Sequence, residues 1–406
     1  MKRGIPFAGL AIALMAGGTA RAAGDTIKIG VLVPLTGAYA ALGDDQQKAS
    51  ELAAELVNKQ GGILGKKVQV IIRDDQLDSG VALRKVKELV FEEKVDFLAG
   101  TLSGAVSKVV NEFSSKNKII YMGYPQSDMV YGADINKYGF SGMPSPDMAA
   151  QSVAQYAFKN VGKKWYALTA DYRWGHRLLQ GWLHSSKLYG GEFLGNIYTP
   201  LGTSDYSAFL PRIIAAKPDF IVFNNLGRDQ SAALKQAYEL GILGKTKIVC
   251  TKSSILTMKD VAPLFDENVI GGMDFYWELQ EKYPAAKKFV AAYQEKYGRP
   301  PIEDGQAAFH QVMALLDAVK RAGTTEADAV VKALEAGKYA FVKGEEGYQT
   351  CTHQRYDSYL ITKGLGKKAQ GWKLAQVIEE VPAELTMRSC EMAIKDLPNA
   401  EIPLPR

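Results

Sequence analysis

The side chains able to do chemistry are few in this chain, and their spacing suits almost none of it. Its four histidines are His176, His184, His310 and His353. His176 and His184 stand eight apart, not the four that set two imidazoles on one helical face for zinc. A packing or surface role is expected of them, and no metal or other cofactor is expected. Gly100-Thr101-Leu102-Ser103-Gly104 approaches a nucleophile elbow but places its serine wrongly between the glycines. Gly241 to Thr246 approaches a phosphate-binding loop, but Glu239 stands where the first glycine belongs, and the segment follows a helix rather than a strand. Asp74-Asp75 offers two adjacent carboxylates. Neighbours on a strand point to opposite faces, so a solvated turn is the expected reading. With no nucleophile–base pair, metal cluster or cofactor fingerprint, the chain is not expected to be an enzyme.

A binding site fits better. Tyr39, Tyr124, Trp174 and the pair Tyr276-Trp277 fall at expected strand ends or loops, outside the helical stripes. Helix starts near Ser103-Gly104 and Ser127 would present N–H groups and hydroxyls, which suit an anion. Aromatic walls with a few placed polar groups are what a small-molecule cleft needs.

The elements that must position these residues alternate. Ile27–Val33, Val68–Ile72, Val95–Ala99 and Ile119–Tyr124 read as strands. Between the first two, Asp44 or Asp45 can cap a helix with Ala49, Leu52, Ala53 and Leu56 on one face, stopped by Gly61-Gly62. Asp78-Ser79 opens the next helix. After a Pro/Gly-rich seam at 142–146 the rhythm restarts, with strands at Trp165–Ala170, Phe193–Tyr198, Phe220–Asn224 and Ile248–Thr251. Such β-α-β-α order predicts parallel sheets covered by helices, and runs that are continuously apolar fit strands buried on both faces. The segment after Asn268 has too few strands for a third sheet; its helices are expected to return to the first unit. The fold class is therefore α/β, with two Rossmann-like parallel-sheet lobes joined by a multi-crossover hinge. In such sheets ligands bind at the C-terminal strand ends.

The bulk properties agree. Of 406 residues, 47% are hydrophobic and 23% charged, an ordinary globular balance. Lys2-Arg3, the apolar run from Ile5 to Met15 and Ala20-Arg21-Ala22 read as a signal peptide, 1–22, cleaved near Ala22. Its loss takes 49 basic residues to 46 against 44 acidic, which leaves no electrostatic footprint for nucleic acid. Of three cysteines, Cys250 ends an apolar run and reads as a buried strand residue. Cys351 and Cys390 flank the C-terminal tail and are expected to form a disulfide, the alternative being three free thiols.

At Ile27-Lys28-Ile29-Gly30-Val31-Leu32-Val33-Pro34-Leu35-Thr36-Gly37 the chain resembles the type I periplasmic binding proteins of the leucine/isoleucine/valine-binding family. The likeness continues through Gly43, Asn58 and Gly61–Val68, and again at Lys164–Gly175, Gly202–Ser207, Lys217-Pro218-Asp219 and Lys235–Ala237 with Gly241. It implies a two-lobed carrier, 25–145 plus 276–345 forming one lobe and 146–275 plus 346–406 the other. Such a protein captures a solute by hinge closure in the periplasm and passes it to the membrane permease of an ABC importer. A monomer is the natural expectation.

By position, the resemblance puts ligand contacts on Thr36–Tyr39, Ser103-Gly104, Pro125-Gln126-Ser127, Tyr172–Trp174, Asn224–Leu226, Lys252 and Tyr276. The individual residues singled out are Tyr39, Ser103, Gly104, Gln126, Ser127, Tyr172, Trp174, Asn224, Lys252 and Tyr276. In the family the second and third segments hold the ligand carboxylate. Two departures matter: Pro125 has no N–H to offer, and Lys252 stands where amino-acid binders carry an acid for the ligand's ammonium. A lysine there would repel an α-ammonium and attract a negative charge. The expected ligand is therefore an organic or aromatic acid. The alternatives are a branched-chain or other amino acid, an amide or urea, or a role as ligand sensor for a membrane receptor. Thr350–Gln354 resembles a structural element near the family's hinge.

Overall fold

The computed structural model describes residues 26–37, 39–124 and 129–395. The expected signal peptide, Gln126 and Ser127 lie outside them.

Thr26–Val33 (β1) buries every residue from Gly30 onward. It pairs in parallel with Lys67–Asp74 (β2) and Phe97–Gly100 (β3). Tyr121–Gly123 (β4) and Gly139–Ser141 (β5) complete a five-stranded parallel sheet in the order β2-β1-β3-β4-β5. Ala40–Lys59 (α1), Ser79–Lys87 (α2) and Gly104–Asn117 (α3) make its crossovers. Asp78 caps α2 as its position requires, accepting from the Val81 N–H at 2.7 Å. The start of α1 differs from expectation. The helix begins at Ala40, so Asp45 lies inside it and turns inward, taking a hydrogen bond from Tyr293 at 2.5 Å and pairing with Arg299 at 2.6 Å.

The second run is Pro146–Asn160 (α4), Lys164–Ala170 (β6), Arg173–Tyr189 (α5), Glu192–Thr199 (β7), Leu210–Ala215 (α6), Phe220–Asn224 (β8), Gly227–Glu239 (α7), Lys247–Cys250 (β9), Ile255–Asp260 (α8) and Val269–Met273 (β10). Pro284–Tyr297 (α9), Glu303–Ala322 (α10) and Ala327–Ala336 (α11) then return towards the first sheet, where α10 lies along α1 and against β3 and β4. Gly305 permits that approach: a methyl there would sit 1.9 Å from the Asp45 carboxylate.

After the small hairpin of Tyr339–Phe341 (β11) and Gly344–Glu346 (β12), the chain adds Tyr359–Gly364 (β13) and Ala375–Val381 (β14) to the second sheet. Its seven strands run in the order β14-β13-β10-β9-β8-β6-β7. β13 and β14 are antiparallel, so this sheet is mixed, not wholly parallel as the strand rhythm predicts. The two-residue alternation of a half-exposed edge is weak in β14, whose middle is only partly buried, and a continuous apolar run is the wrong signal to look for there.

The chain crosses between the sheets at 142–145, 274–276 and 347–358. Arg355, wholly buried, joins two of these crossings: it donates to the Gly142 carbonyl at 2.8 Å, to Glu346 at 2.8 Å, and pairs with Asp357 at 3.2 Å. Lys343 brings in the crossing at 274–276, bonding the Asp274 carbonyl and the Asp357 carboxylate. His310 closes the network on Glu346 at 3.1 Å and Tyr348 at 3.0 Å. Burial and the Arg355 charge push the His310 imidazole down to about 4, so it stays neutral. Burial alone would raise Glu346, but Arg355 and His310 overrule it and hold it at about 2.

The described tail ends in Cys390–Ile394 (α12), which a disulfide from Cys351 to Cys390 ties to the third crossing. Cys250 is free and buried. Arg388, in the same tail, pairs with Asp147 at 2.6 Å and lies over the Tyr131 ring. Closing a loop with a sequence separation of 39 removes about 4 kcal/mol of unfolded-chain entropy in the simplest model. Replacing Cys351 and Cys390 together by serine should therefore lower Tm by several degrees, read by calorimetry without reductant. The wild type with reductant should fall equally, and an unchanged Tm would show that the tail is not held by this bond.

Candidate functional site

The C-terminal ends of the two sheets face each other, and the loops leaving them meet. Tyr124 follows β4, Tyr172 follows β6, Lys252 follows β9 and Asp274 follows β10. Two groups of side chains bridge the cleft.

The first group is aromatic. Tyr39, at the start of α1, hydrogen-bonds to Tyr172 at the start of α5, and the Tyr172 ring stacks on Trp174 with centroids 5.8 Å apart. Trp174 lies within the first turn of α5, not in a loop as its sequence context suggests, and is 3% exposed. Gly227, at φ +62°, opens α7 against the Tyr39 ring, with room for a methyl 3.6 Å from the ring edge. Asp229, two residues on, accepts from the Gly202 N–H at 2.9 Å. Burial and the nearby Asp229 charge raise the Tyr39 hydroxyl to about 12, and burial raises Tyr172 further, so both remain donors.

The second group is ionic. Lys252 is 2% exposed and pairs with Asp274 at 2.7 Å. Its ammonium also donates to the Tyr124 hydroxyl at 2.9 Å, and that hydroxyl donates to Asp304 at the start of α10. Beside it Glu303, fully buried, accepts from the Ile255 N–H at 3.4 Å and from Ser254. Burial pulls the Lys252 ammonium down, but Asp274, Asp304 and Glu303 more than offset this and raise it. Lys252 is charged and fully engaged. It is not the free cation the sequence suggests, since tertiary contacts surround it with three carboxylates.

Ser103 and Gly104 open α3 half-buried, and the Ser103 hydroxyl makes no cap bond of its own. Ser107, one turn on, donates to the Tyr124 carbonyl at 3.2 Å, which fixes α3 beside the ionic group. Asn224 is committed elsewhere: it accepts from Thr251 at 2.6 Å and faces Thr169 at 3.3 Å, in a network that includes Trp182. Tyr276 turns its hydroxyl to the Leu374 and Ala375 N–H groups, at 3.0 and 3.3 Å, and so braces β14. Asp74 and Asp75 do not form a solvated turn. Asp74 holds Leu35 and Thr36 at 2.9 Å, while Asp75 is buried and raised to about 6 by that burial. The residues that sequence reasoning passes over are Asp274, Glu303 and Asp304. Acids in the first turn of a helix such as α10 normally signal only favourable dipole placement.

Among the described residues no group of three or more His, Cys, Asp and Glu is arranged to hold a metal ion, and no helix is long and apolar enough to cross a membrane. A recess of about 260 Å³ lies beside Lys282, Tyr283, Ser358 and Glu380. Its lining is satisfied internally, with Glu380 taking bonds from Lys282 at 2.7 Å and Ser358 at 2.6 Å.

Residues 26–369 match the periplasmic binding protein family. The chain belongs to that family. Its members are solute-binding proteins rather than a class of enzyme. A Leu/Ile/Val-binding protein homologue of Brucella melitensis is 26% identical over 328 residues, 79% of this chain and 86% of the relative. An amino acid ABC transporter substrate-binding protein from Pseudomonas fluorescens Pf-5 shares the fold with a TM-score of 0.84 at 24% identity, covering 92% of this chain and 99% of that one. A solute-binding protein of an ABC transporter from Rhodopseudomonas palustris BisB5, in complex with 3,4-dihydroxybenzoic acid, superposes with a TM-score of 0.76 at 23% identity, covering 89% and 98%. The type I periplasmic binding protein architecture is thus established for this chain.

Removing one partner of a buried pair strands the other. Lys252→Ala should therefore cost about 3–5 kcal/mol, measured as a lower denaturant midpoint. Lys252→Met combined with Asp274→Asn should recover part of that loss. A double variant no more stable than Lys252→Ala would show that the pair is not the interaction being lost.

Proposed function

We propose that this protein is the periplasmic substrate-binding component of an ABC importer and captures a small carboxylate-bearing solute, an organic or aromatic acid, between its lobes. The observation that carries this reading is the start of α3. There Ser103 keeps its hydroxyl unspent at the N-terminus of a fourteen-residue helix, beside the Tyr124 wall of the cleft. Helix N-terminal N–H groups and an adjacent hydroxyl suit a carboxylate. Tyr39, Tyr172 and Trp174 supply flat apolar surface with hydroxyl donors, which suits a ring. Delivery to a membrane permease, as a monomer, is part of this proposal, and the fold shared with a solute-binding protein in complex with 3,4-dihydroxybenzoic acid lends support.

One observation favours a second reading. Three carboxylates, Asp274, Glu303 and Asp304, surround the single ammonium of Lys252. A surplus of that kind could receive a ligand ammonium, which would make the solute an amino acid, as the names of several relatives have it.

A thermal-shift panel on protein unfolded and refolded to strip ligand separates the two. A ligand at a hundred times its Kd stabilises by about 2.7 kcal/mol. Benzoate, 3,4-dihydroxybenzoate and aliphatic acids without an amino group are expected to raise Tm. Ser103→Ala should weaken the best of them roughly 10- to 100-fold, the worth of one hydrogen bond to a charged group. Stabilisation by amino acids alone would replace the acid reading with the second one.

A further inference from the structure

The ionic group does more than line the cleft, because each of its bonds to the opposite lobe is made by a titratable or hydroxyl side chain. Lys252, from the loop after β9, reaches across to Tyr124 after β4 at 2.9 Å. Tyr124 passes the contact to Asp304 on α10. Glu303, also on α10, reaches back to Ser254 and Ile255 at the start of α8. The two links run in opposite directions between the lobes, and Lys252, Asp274, Glu303 and Asp304 are all at most 2% exposed. Three carboxylates and one ammonium cannot all be ionised in such a space without a large cost.

We propose that these residues form a proton-consuming latch, in which bringing the lobes together takes up a proton on the Glu303–Asp304 pair and so favours the closed form at lower pH even without solute. The inference rests on the two-lobed carrier reading and adds to it a drive for closure that the solute does not supply.

The groups facing Glu303 come from every element around it. They are Asp304 beside it, Lys252 after β9, Tyr124 after β4, Tyr359 on β13, and Ser254 and Ile255 at α8, with Asp274 after β10 acting on Asp304. Lys252 alone is cationic. Burial, then repulsion from Asp304, raises the Glu303 carboxyl to about 8, against a partial offset from Lys252. Asp304 is raised too, again first by burial. When the lobes part, water reaches both groups and restores the ordinary carboxylate range. The closed form therefore holds more protons than the open one. Its advantage is complete at low pH and is lost as the pH climbs to about 8, by up to about tenfold per pH unit for one proton.

The test is small-angle X-ray scattering on the full, ligand-stripped chain at pH 6 and pH 8.5. The wild type should be contracted at pH 6 and expanded at pH 8.5, with the closed-to-open ratio falling by roughly 100-fold. Glu303→Gln carries the neutral form permanently and should stay contracted at both values. Tyr124→Phe deletes only the hydroxyl shared by Lys252 and Asp304, and should be expanded at both. A wild-type radius of gyration that does not change with pH overturns the latch, as does a Glu303→Gln protein that keeps the wild-type response. Neither result touches the carrier reading, which depends on solute binding.

Discussion

Arg355 holds the crossings between the two sheets together, and the positions of all other functional groups follow from that. Its guanidinium spans the Gly142 carbonyl, Glu346 and Asp357 with no exposure to solvent. Three chain crossings meeting in one place would leave several carbonyls and carboxylates buried without water, at a cost of a few kcal/mol each if left unpaired. Arg355 and Lys343 satisfy them, and His310 stays neutral to complete the set. A planar, always-charged fork is the side chain best suited to joining carbonyl and carboxylate partners from separate strands. The polar groups of all three crossings share these two cations.

With the crossings fixed, the cleft is defined by which loops leave the C-terminal ends of the sheets. The same physics recurs there with a different balance of charge. At the crossings, two cations and two carboxylates match. At the floor of the cleft one cation serves three carboxylates, and a tyrosine hydroxyl is shared across the gap. The first arrangement titrates below neutrality, since Glu346 is held at about 2, His310 at about 4, and burial raises Asp357 only to about 6. The second is poised near neutrality.

Much of the first sheet can be read from the residues. The apolar runs at β1 and β3, the Asp78 cap of α2 and the stop after α1 are short-range signals, and each is used as its type requires. The candidate site is legible only where a residue's role is local. Ser103 before a helical run is visible as a helix start, whereas the start of α1 after Tyr39 is not, because Asp44 and Asp45 look like the cap. Tyr276 and Asn224 show the limit. Both sit at strand ends with suitable chemistry, yet their polar atoms are taken by neighbours 98 and 27 positions away in sequence. Asp45 resembles a cap until tertiary packing places Arg299 and Tyr293 against it.

By itself the sequence determined the α/β class, the two units with helices returning to the first, and the family. The first two depend on periodicity and local turn chemistry, which act between residues close in the chain, and the family on the likeness of short motifs such as Ile27–Gly37. Only the tertiary structure decided the charge of the cleft. Lys252 reads alone as an attraction for anions, and becomes the one cation among three carboxyl groups because Asp274, Glu303 and Asp304 arrive from positions 22 to 52 residues later. Electrostatic character is a property of what surrounds a group at a few ångströms and of how much water remains there. No single stretch of chain contains that information.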